Sequence, residues 1–272
     1  SSWEGRALFY VVLSSEKNIA RLADIKNNMQ QLADPRQLSE SQAQKLIEST
    51  PAVTWLSYSV HGNEISSTEA AMATAYHLLA STDDPVATAA MEETVTVLVP
   101  VQNPDGRDRF VHHFEMARGP VADANMDSAE HNEPWPRGRT NHYLFDLNRD
   151  WFAQTQPEIR AHAKAFLEWM PVAFVDAHEM GSDSTYFFAP EAEPYNPFIT
   201  AEQRASLIMF GKTNAKRFDH FGIDYFTREV FDAFYPGYGA SWPIYHGAIA
   251  MTYEQASARG LIATRYDGSQ FS

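Results

Sequence analysis

The 272-residue chain carries 21 Lys and Arg against 35 Asp and Glu, a formal net charge of −14, and 44% of its residues are hydrophobic. Such a chain can bury a substantial core, and its acidic balance argues against a nucleic-acid binder, which needs excess cations to neutralise phosphates. There are no cysteines, so disulfides and thiolate metal ligands are excluded, and any metal site must draw on His and carboxylates.

The chain opens Ser1-Ser2-Trp3, without Met or a signal peptide, and reads as a piece of a longer precursor. No repeat or Pro/Gly-rich linker divides it, so residues 1–272 read as one catalytic domain. Ala7–Leu13 is the first short apolar run and predicts a strand. Asn18–Ala33 and Glu40–Glu48 have helical patterns and look like a helical insertion at about residues 15–50, ahead of the next strand, Val53–Val60. Ile65–Ala80 is an Ala-rich helix stopped by Ser81-Thr82-Asp83-Asp84-Pro85, and Thr94–Val101 is a third strand. Glu158–Trp169 starts behind Pro157, a favoured first-turn residue, and stops before Pro171. The strand Val172–Asp176 follows. Ala201–Phe221 is then a helix with Thr200 and Gln203 at capping-box spacing and Gly222 as terminator. Ala248–Tyr253 is the last strand. Strands alternating with helices predict an α/β fold with a largely parallel or mixed sheet, whose active site gathers at the carboxyl ends of strands. No apolar run approaches the ~20 residues needed to span a membrane.

The strand ends carry reactive groups. Val53–Val60 leads into His61-Gly62-Asn63-Glu64, Val172–Asp176 into His178, and Ala248–Tyr253 into Glu254. Across a tight turn into a helix, His61 and Glu64 can converge on one ion, and His178 is the natural third ligand because it leaves a buried strand in the same way. Imidazole nitrogen and carboxylate oxygen suit zinc, and a catalytic zinc keeps a fourth position open. The same spacing recurs at His112 and Glu115, but that pair follows no apolar run and is set aside. Glu254, a carboxylate directly after an apolar run, is placed to shuttle protons.

Taken in order, His61-Gly-Asn-Glu64, Asn103-Pro-Asp-Gly106, Asp146-Leu-Asn-Arg149-Asp, Asp176-Ala-His178 and Thr252-Tyr-Glu254 resemble the zinc carboxypeptidases of the carboxypeptidase A type (the M14 peptidases), from Glu4-Gly5-Arg6 onward. The resemblance implies a three-layer α/β/α domain around a mixed, largely parallel twisted sheet. It implies one Zn2+ ion on His61, Glu64 and His178, and Asp146 orienting His61. Asn148 and Arg149 would hold the substrate's terminal carboxylate, and Glu254 would be the general base toward a zinc-activated water. The family's oxyanion arginine falls on Arg137 or Arg139, which spacing does not separate, with Arg139 preferred. Its mobile tyrosine falls on Tyr235 or Tyr238, and counting back from Glu254 favours Tyr235.

Two departures stand out. Glu179 follows the third ligand where the family commonly has a small hydroxyl residue, so the wall of the substrate pocket is expected to differ. Ala240 and Ser241, near the base of the specificity pocket, offer neither an acid nor a base. The implied activity is removal of C-terminal residues from peptides. Deacylation of N-acyl amino acids, trimming of peptidoglycan stem peptides, and an inactive binding module on the same scaffold are the alternatives. The implied partner is a peptide or amino-acid derivative with a free carboxylate. A monomer in the periplasm or secreted is the expectation.

Overall fold

The computed structural model describes residues 1–257, 262–264 and 267–271. Six strands, β1 (Val11–Leu13), β2 (Ala52–Tyr58), β3 (Thr94–Val99), β4 (Ala173–Met180), β5 (Tyr186–Phe187) and β6 (Ile249–Ala256), form one sheet in the order β1-β3-β2-β4-β6-β5. β3, β2, β4 and β6 are mutually parallel, and β1 and β5 add antiparallel edges. The mixed, largely parallel sheet expected from the strand–helix alternation is the one that forms.

Side-chain alternation sends the strands' apolar residues to both faces. Val53, Trp55, Val97, Phe174 and Ala250 meet Ile25 and Met29 of α2 (Leu22–Ala33) and Ile159, Ala163, Phe166 and Trp169 of α7 (Pro157–Trp169). On the other face, Leu56, Tyr58 and Leu98 pack with Ala71 of α4 (Ser66–Ala80), while Val175, Ile249 and Met251 pack with Leu207 of α8 (Ala201–Phe221). Helices on both faces give the three layers. Each fully buried Trp or Phe contributes about 2–3 kcal/mol of burial, and Trp55, Trp169, Phe166 and Phe174 lie in one cluster. The segment before β2 holds α1 (Glu16–Ile19), α2 and α3 (Glu40–Ser49), close to the two helical patterns in the sequence.

Several boundaries differ from expectation. β1 is shorter than Ala7–Leu13: Val11 already pairs with Leu98, so earlier residues run past the end of β3. Two helices, α5 (Pro85–Glu93) and α6 (Pro104–Ala117), follow Asp-Pro and Asn-Pro pairs. Asp84 accepts from the Val86 N–H and Asn103 from the Gly106 N–H, so the run that stops α4 also starts α5. β4 and β6 continue beyond Asp176 and Tyr253, pairing His178 with Glu254, Glu179 with Gln255 and Met180 with Ala256. Those polar residues look like strand ends in sequence. The ladder persists because backbone pairing does not depend on side-chain polarity, and β5 closes the outer edge at Glu254 and Gln255.

Candidate active site

The first two candidate ligands arise where β2 turns. Buried Ser59 has φ 57°, in the left-handed region that non-glycine residues seldom adopt. The carbonyls of Tyr58 and Ser59 accept from the N–H groups of Gln102 and Asn103, which ties this turn to the start of α6. Gly62 is required by close approach: a Cβ there would lie 2.1 Å from the backbone nitrogen of Arg107. Asn63 donates to Glu133 at 2.7 Å, and Glu133 also accepts from the Gly138 N–H, so the turn is fastened to the loop that follows α6.

His61, Glu64 and His178 converge. His61 Nδ1 lies 2.5 Å from Glu64 Oε1, and His178 Nδ1 lies 3.0 Å from Glu64 Oε2. One ligand atom from each residue lies within 4.8 Å of the other two, and all three residues are buried. The other ring nitrogens meet carboxylates: His61 Nε2 is 3.1 Å from Asp146 Oδ1, and His178 Nε2 is 2.9 Å from Asp176 Oδ2. A neutral imidazole that donates from Nε2 keeps a lone pair on Nδ1, aimed here at Glu64. A buried nitrogen–oxygen–nitrogen set with both rings oriented by carboxylates fits zinc. His112 and Glu115 both lie in α6, where His112 turns to Asp108 and Glu115 pairs with Arg118. Among the described residues, no other group of three His or acidic side chains converges in this way.

The charges reinforce one another. Burial alone would raise the Glu64 carboxyl, but His178 and His61 outweigh it and hold it well below the usual range. Burial likewise opposes ionisation of Asp146, and His61 and Arg139 prevail. Burial would lower His178, yet Asp176 and Glu64 keep it well above its ordinary value. Glu254 stands across the β4–β6 ladder from His178, and burial pushes its carboxyl up to about 7, His178 opposing and Glu64 adding to the rise.

A cleft of about 600 Å³ opens over these groups, lined also by Arg139, Asn148, Arg149, Glu179, Tyr238 and Thr252. Arg139 donates from Nε and Nη2 to Asp146 Oδ2 at 3.1 and 3.0 Å, which leaves Nη1 3.7 Å from Glu64 Oε1. Asn148 Oδ1 accepts from the Gly239 N–H at 2.6 Å. Its amide nitrogen lies 3.3 Å from His178 Nε2, but that nitrogen already donates to Asp176, so the Asn148 N–H groups stay available to the cleft. The Arg149 guanidinium lies 4.7 Å from the centre of the Tyr238 ring. It forms no ion pair with Asp150, whose carboxylate accepts from Thr155 and Gln156 instead.

Residues 1–219 match the family model described as zinc carboxypeptidase. The chain belongs to the zinc carboxypeptidase family. The matched range contains His61, Glu64, Asp146, Asn148, Arg149 and His178, and it ends before β6 and Glu254. Among solved structures, a metallo-carboxypeptidase from Burkholderia cenocepacia is similar over 94% of this chain, with 18% identity and a TM-score of 0.59. Carboxypeptidase A from Helicoverpa armigera is similar over 94%, with 16% identity and a TM-score of 0.61. The chain covers 53% and 57% of these two structures, a little over half their length. At that identity the likeness is one of fold. A search of the curated proteins returned no match.

Within this cleft the structure separates residues that spacing left open. Arg139 lines it. Arg137 borders two neighbouring pockets, and its carbonyl accepts from Arg109 at 2.8 Å. Tyr238 lines the cleft, whereas Tyr235, favoured by counting, packs edge-on against Tyr238 and donates its hydroxyl to the Arg149 carbonyl at 3.1 Å. Glu179 alternates away from His178, and its carboxylate accepts from the N–H and hydroxyl of Ser66 at the start of α4. Ala240 and Ser241 are buried and are not among the cleft-lining residues. Asp176 belongs to the Asp-Ala-His motif but carries no expected role in it. Its position two residues before His178 on one strand, hence on the same face, was the available signal. Gln102 donates to its second oxygen at 3.1 Å. Gly239 leaves the room it needs, since a Cβ there would lie 2.5 Å from Asp176 Oδ2.

Proposed function

We propose that this zinc carboxypeptidase chain hydrolyses the last peptide bond of substrates with a free carboxylate, holding one zinc ion with His61, Glu64 and His178. The observation that carries the reading is the convergence of both Nδ1 atoms on Glu64, with Glu254 directly across the ladder from His178. When bound, zinc supplies Lewis acidity that polarises a carbonyl oxygen and makes water more acidic at neutral pH. Asp146 and Asp176 hold the two imidazoles in the tautomer that presents Nδ1. Glu254, with its carboxyl raised to about 7, accepts a proton from water and returns it to the leaving amine. Arg139, anchored on Asp146, presents Nη1 to the negative charge that develops on the scissile carbonyl oxygen, a contribution of roughly 3–4 kcal/mol. Asn148 and Arg149 grip the terminal carboxylate, and the Tyr238 ring supports the Arg149 guanidinium.

The test compares a peptide that is free at its C-terminus with the same peptide amidated there. Zinc-loaded protein should release one residue from the free peptide only, as read by mass spectrometry. Equal cleavage of both, or cleavage of neither, would overturn the proposal.

A further inference from the structure

Glu179 borders the cleft but has no part in the proposed hydrolysis. It lies on β4 one residue past His178, so its side chain leaves the opposite face, the one that Val175 and Ala177 turn toward α8 and α4. An acid beyond those apolar neighbours needs a partner, and it finds one at the start of α4. A helix begins with N–H groups that its own carbonyls cannot satisfy. Ile65, just before α4, is already in the helical region, and its side chain makes no capping hydrogen bond. Glu179 supplies the acceptor from another element. Its Oε2 accepts from the Ser66 N–H at 2.8 Å and from the Ser66 hydroxyl, where a negative charge also suits the positive end of a 15-residue helix.

The same residue reaches the candidate metal site through its backbone. The Glu179 N–H donates to Glu64 Oε2 at 3.1 Å, the oxygen that also faces His178 Nδ1 at 3.0 Å. Glu64 stands two residues before Ser66, and its carbonyl accepts from the Ser67 N–H at 3.3 Å, so its backbone belongs to the turn that starts α4. Glu179 therefore holds Glu64 at both ends: the carboxylate by a backbone N–H, and the turn that carries it by a side chain. Gln255 tightens the arrangement. It pairs with Glu179 across the β4–β6 ladder and donates from Nε2 to the Ser66 hydroxyl oxygen, so the residue after Glu254 is fastened to the same turn.

We propose that Glu179 is a positioning residue for Glu64, fixing this ligand by clamping β4 to the first turn of α4. The inference rests on the reading that His61, Glu64 and His178 hold zinc. A ligand whose oxygen and backbone are both held beforehand loses less freedom when it binds the ion, and partners behind a metal ligand are worth about 10–100-fold in affinity. Arg107 steadies the same turn independently, donating to the Ile65 carbonyl at 3.0 Å and to Glu69 at 2.8 Å, so α4 does not depend on Glu179 to form. The small hydroxyl side chain expected after the third ligand is two carbons shorter than Glu, too short to place an acceptor where Glu179 Oε2 stands.

The experiment measures zinc affinity by chelator competition, and thermal midpoints with and without zinc, for wild type and for Glu179→Met, Glu179→Gln and Ser66→Ala. Met matches Glu in length but has no oxygen, so Glu179→Met should weaken zinc binding by at least about tenfold. Gln keeps an acceptor oxygen and loses only the charge at the helix N-terminus, so Glu179→Gln should stay within about fivefold of wild type. Ser66→Ala removes the hydroxyl but keeps the N–H, and should weaken zinc binding about 2–10-fold; it decides the matter if Glu179→Met does not fold. A loss below about tenfold in a folded Glu179→Met, an equal loss in the Met and Gln variants, or unchanged affinity in Ser66→Ala would overturn the proposal. So would a Glu179→Met midpoint lowered equally with and without zinc, the mark of a helix cap that does nothing for Glu64. Wild type that binds no zinc overturns this proposal together with the zinc reading. The expected pattern supports it even if no peptide is cleaved, a result that would sink the peptidase reading alone. Peptide cleavage with zinc affinity unmoved by Glu179→Met sinks the Glu179 proposal alone.

Discussion

Asp146 ties three parts of the site together, which makes Asp146→Asn an informative perturbation. Oδ1 accepts from the Asn148 N–H at 2.9 Å and faces His61 Nε2 at 3.1 Å, while Oδ2 accepts two bonds from Arg139. Asparagine has the same shape but exchanges one acceptor for a donor. Placing its NH2 at the Oδ1 position would oppose the Asn148 N–H and the His61 Nε2–H, so the amide must turn the other way. His61 then keeps its tautomer, and Arg139 loses its anchor. Loss of the carboxylate behind a metal-binding histidine weakens metal affinity about 10–100-fold. A released oxyanion donor lowers kcat by about 10²–10³. Zinc affinity measured by chelator competition should therefore fall by at least about tenfold. At saturating zinc, kcat should fall by at least roughly a hundredfold. Adding Arg139→Gln should then change kcat by less than about threefold, because the two residues act as one unit. A kcat for Asp146→Asn within about threefold of wild type, or full multiplication of the two losses, would refute the reasoning.

Three further outcomes are expected. Glu254→Gln should retain zinc while turnover falls by about 10²–10⁴, checked by metal analysis alongside a peptide assay; retained turnover contradicts its role. Arg149→Ala should lower kcat/KM for free-carboxylate peptides roughly 10–100-fold, the range for losing a charged hydrogen bond, and a change confined to amidated peptides would speak against it. The third concerns pH. The His178 value is raised in the folded protein, so its pairing with Glu64 and Asp176 stabilises the metal-free protein fully below about pH 6.5 and is lost as pH rises through the folded value. Zinc requires the neutral ring, so this loss should vanish when zinc is bound. Thermal midpoints from pH 6 to 9 should fall with chelator and not with zinc, and a rise with chelator would contradict the assignment.

Much of the framework was legible because its signals are local. The capping box Thr200-x-x-Gln203 starts α8 and Gly222 ends it in the left-handed region, as the sequence predicts. β2 and β3 are apolar runs buried on both faces, and their periodicity is visible without the fold. His61 and Glu64 could be told from His112 and Glu115 because only the first pair follows such a run. α5 and α6 lie outside the expected elements although Asp84-Pro85 and Asn103-Pro104 are cap signals: Pro85 also reads as the stop of α4, and Asn103-Pro104 as a polar segment after a strand.

The residues alone dictate that any metal here is bound by His and carboxylate, that strands and helices alternate, and that His61, Glu64, His178 and Glu254 follow apolar runs. Those facts follow from composition and from periodicity within about ten residues. Packing of distant segments sets Arg139 and not Arg137, and Tyr238 in place of Tyr235, on the cleft lining, puts Asp176 behind His178, and ties the Glu179 carboxylate to Ser66 of α4. It also buries Glu191 in the stretch that runs beside residues 226–232. Each of these depends on which face of a strand or loop a side chain takes, and on which distant segment packs against it. Arg139 reaches Asp146 and His61 from a loop 78 residues beyond His61, and spacing along the chain carries no record of that meeting.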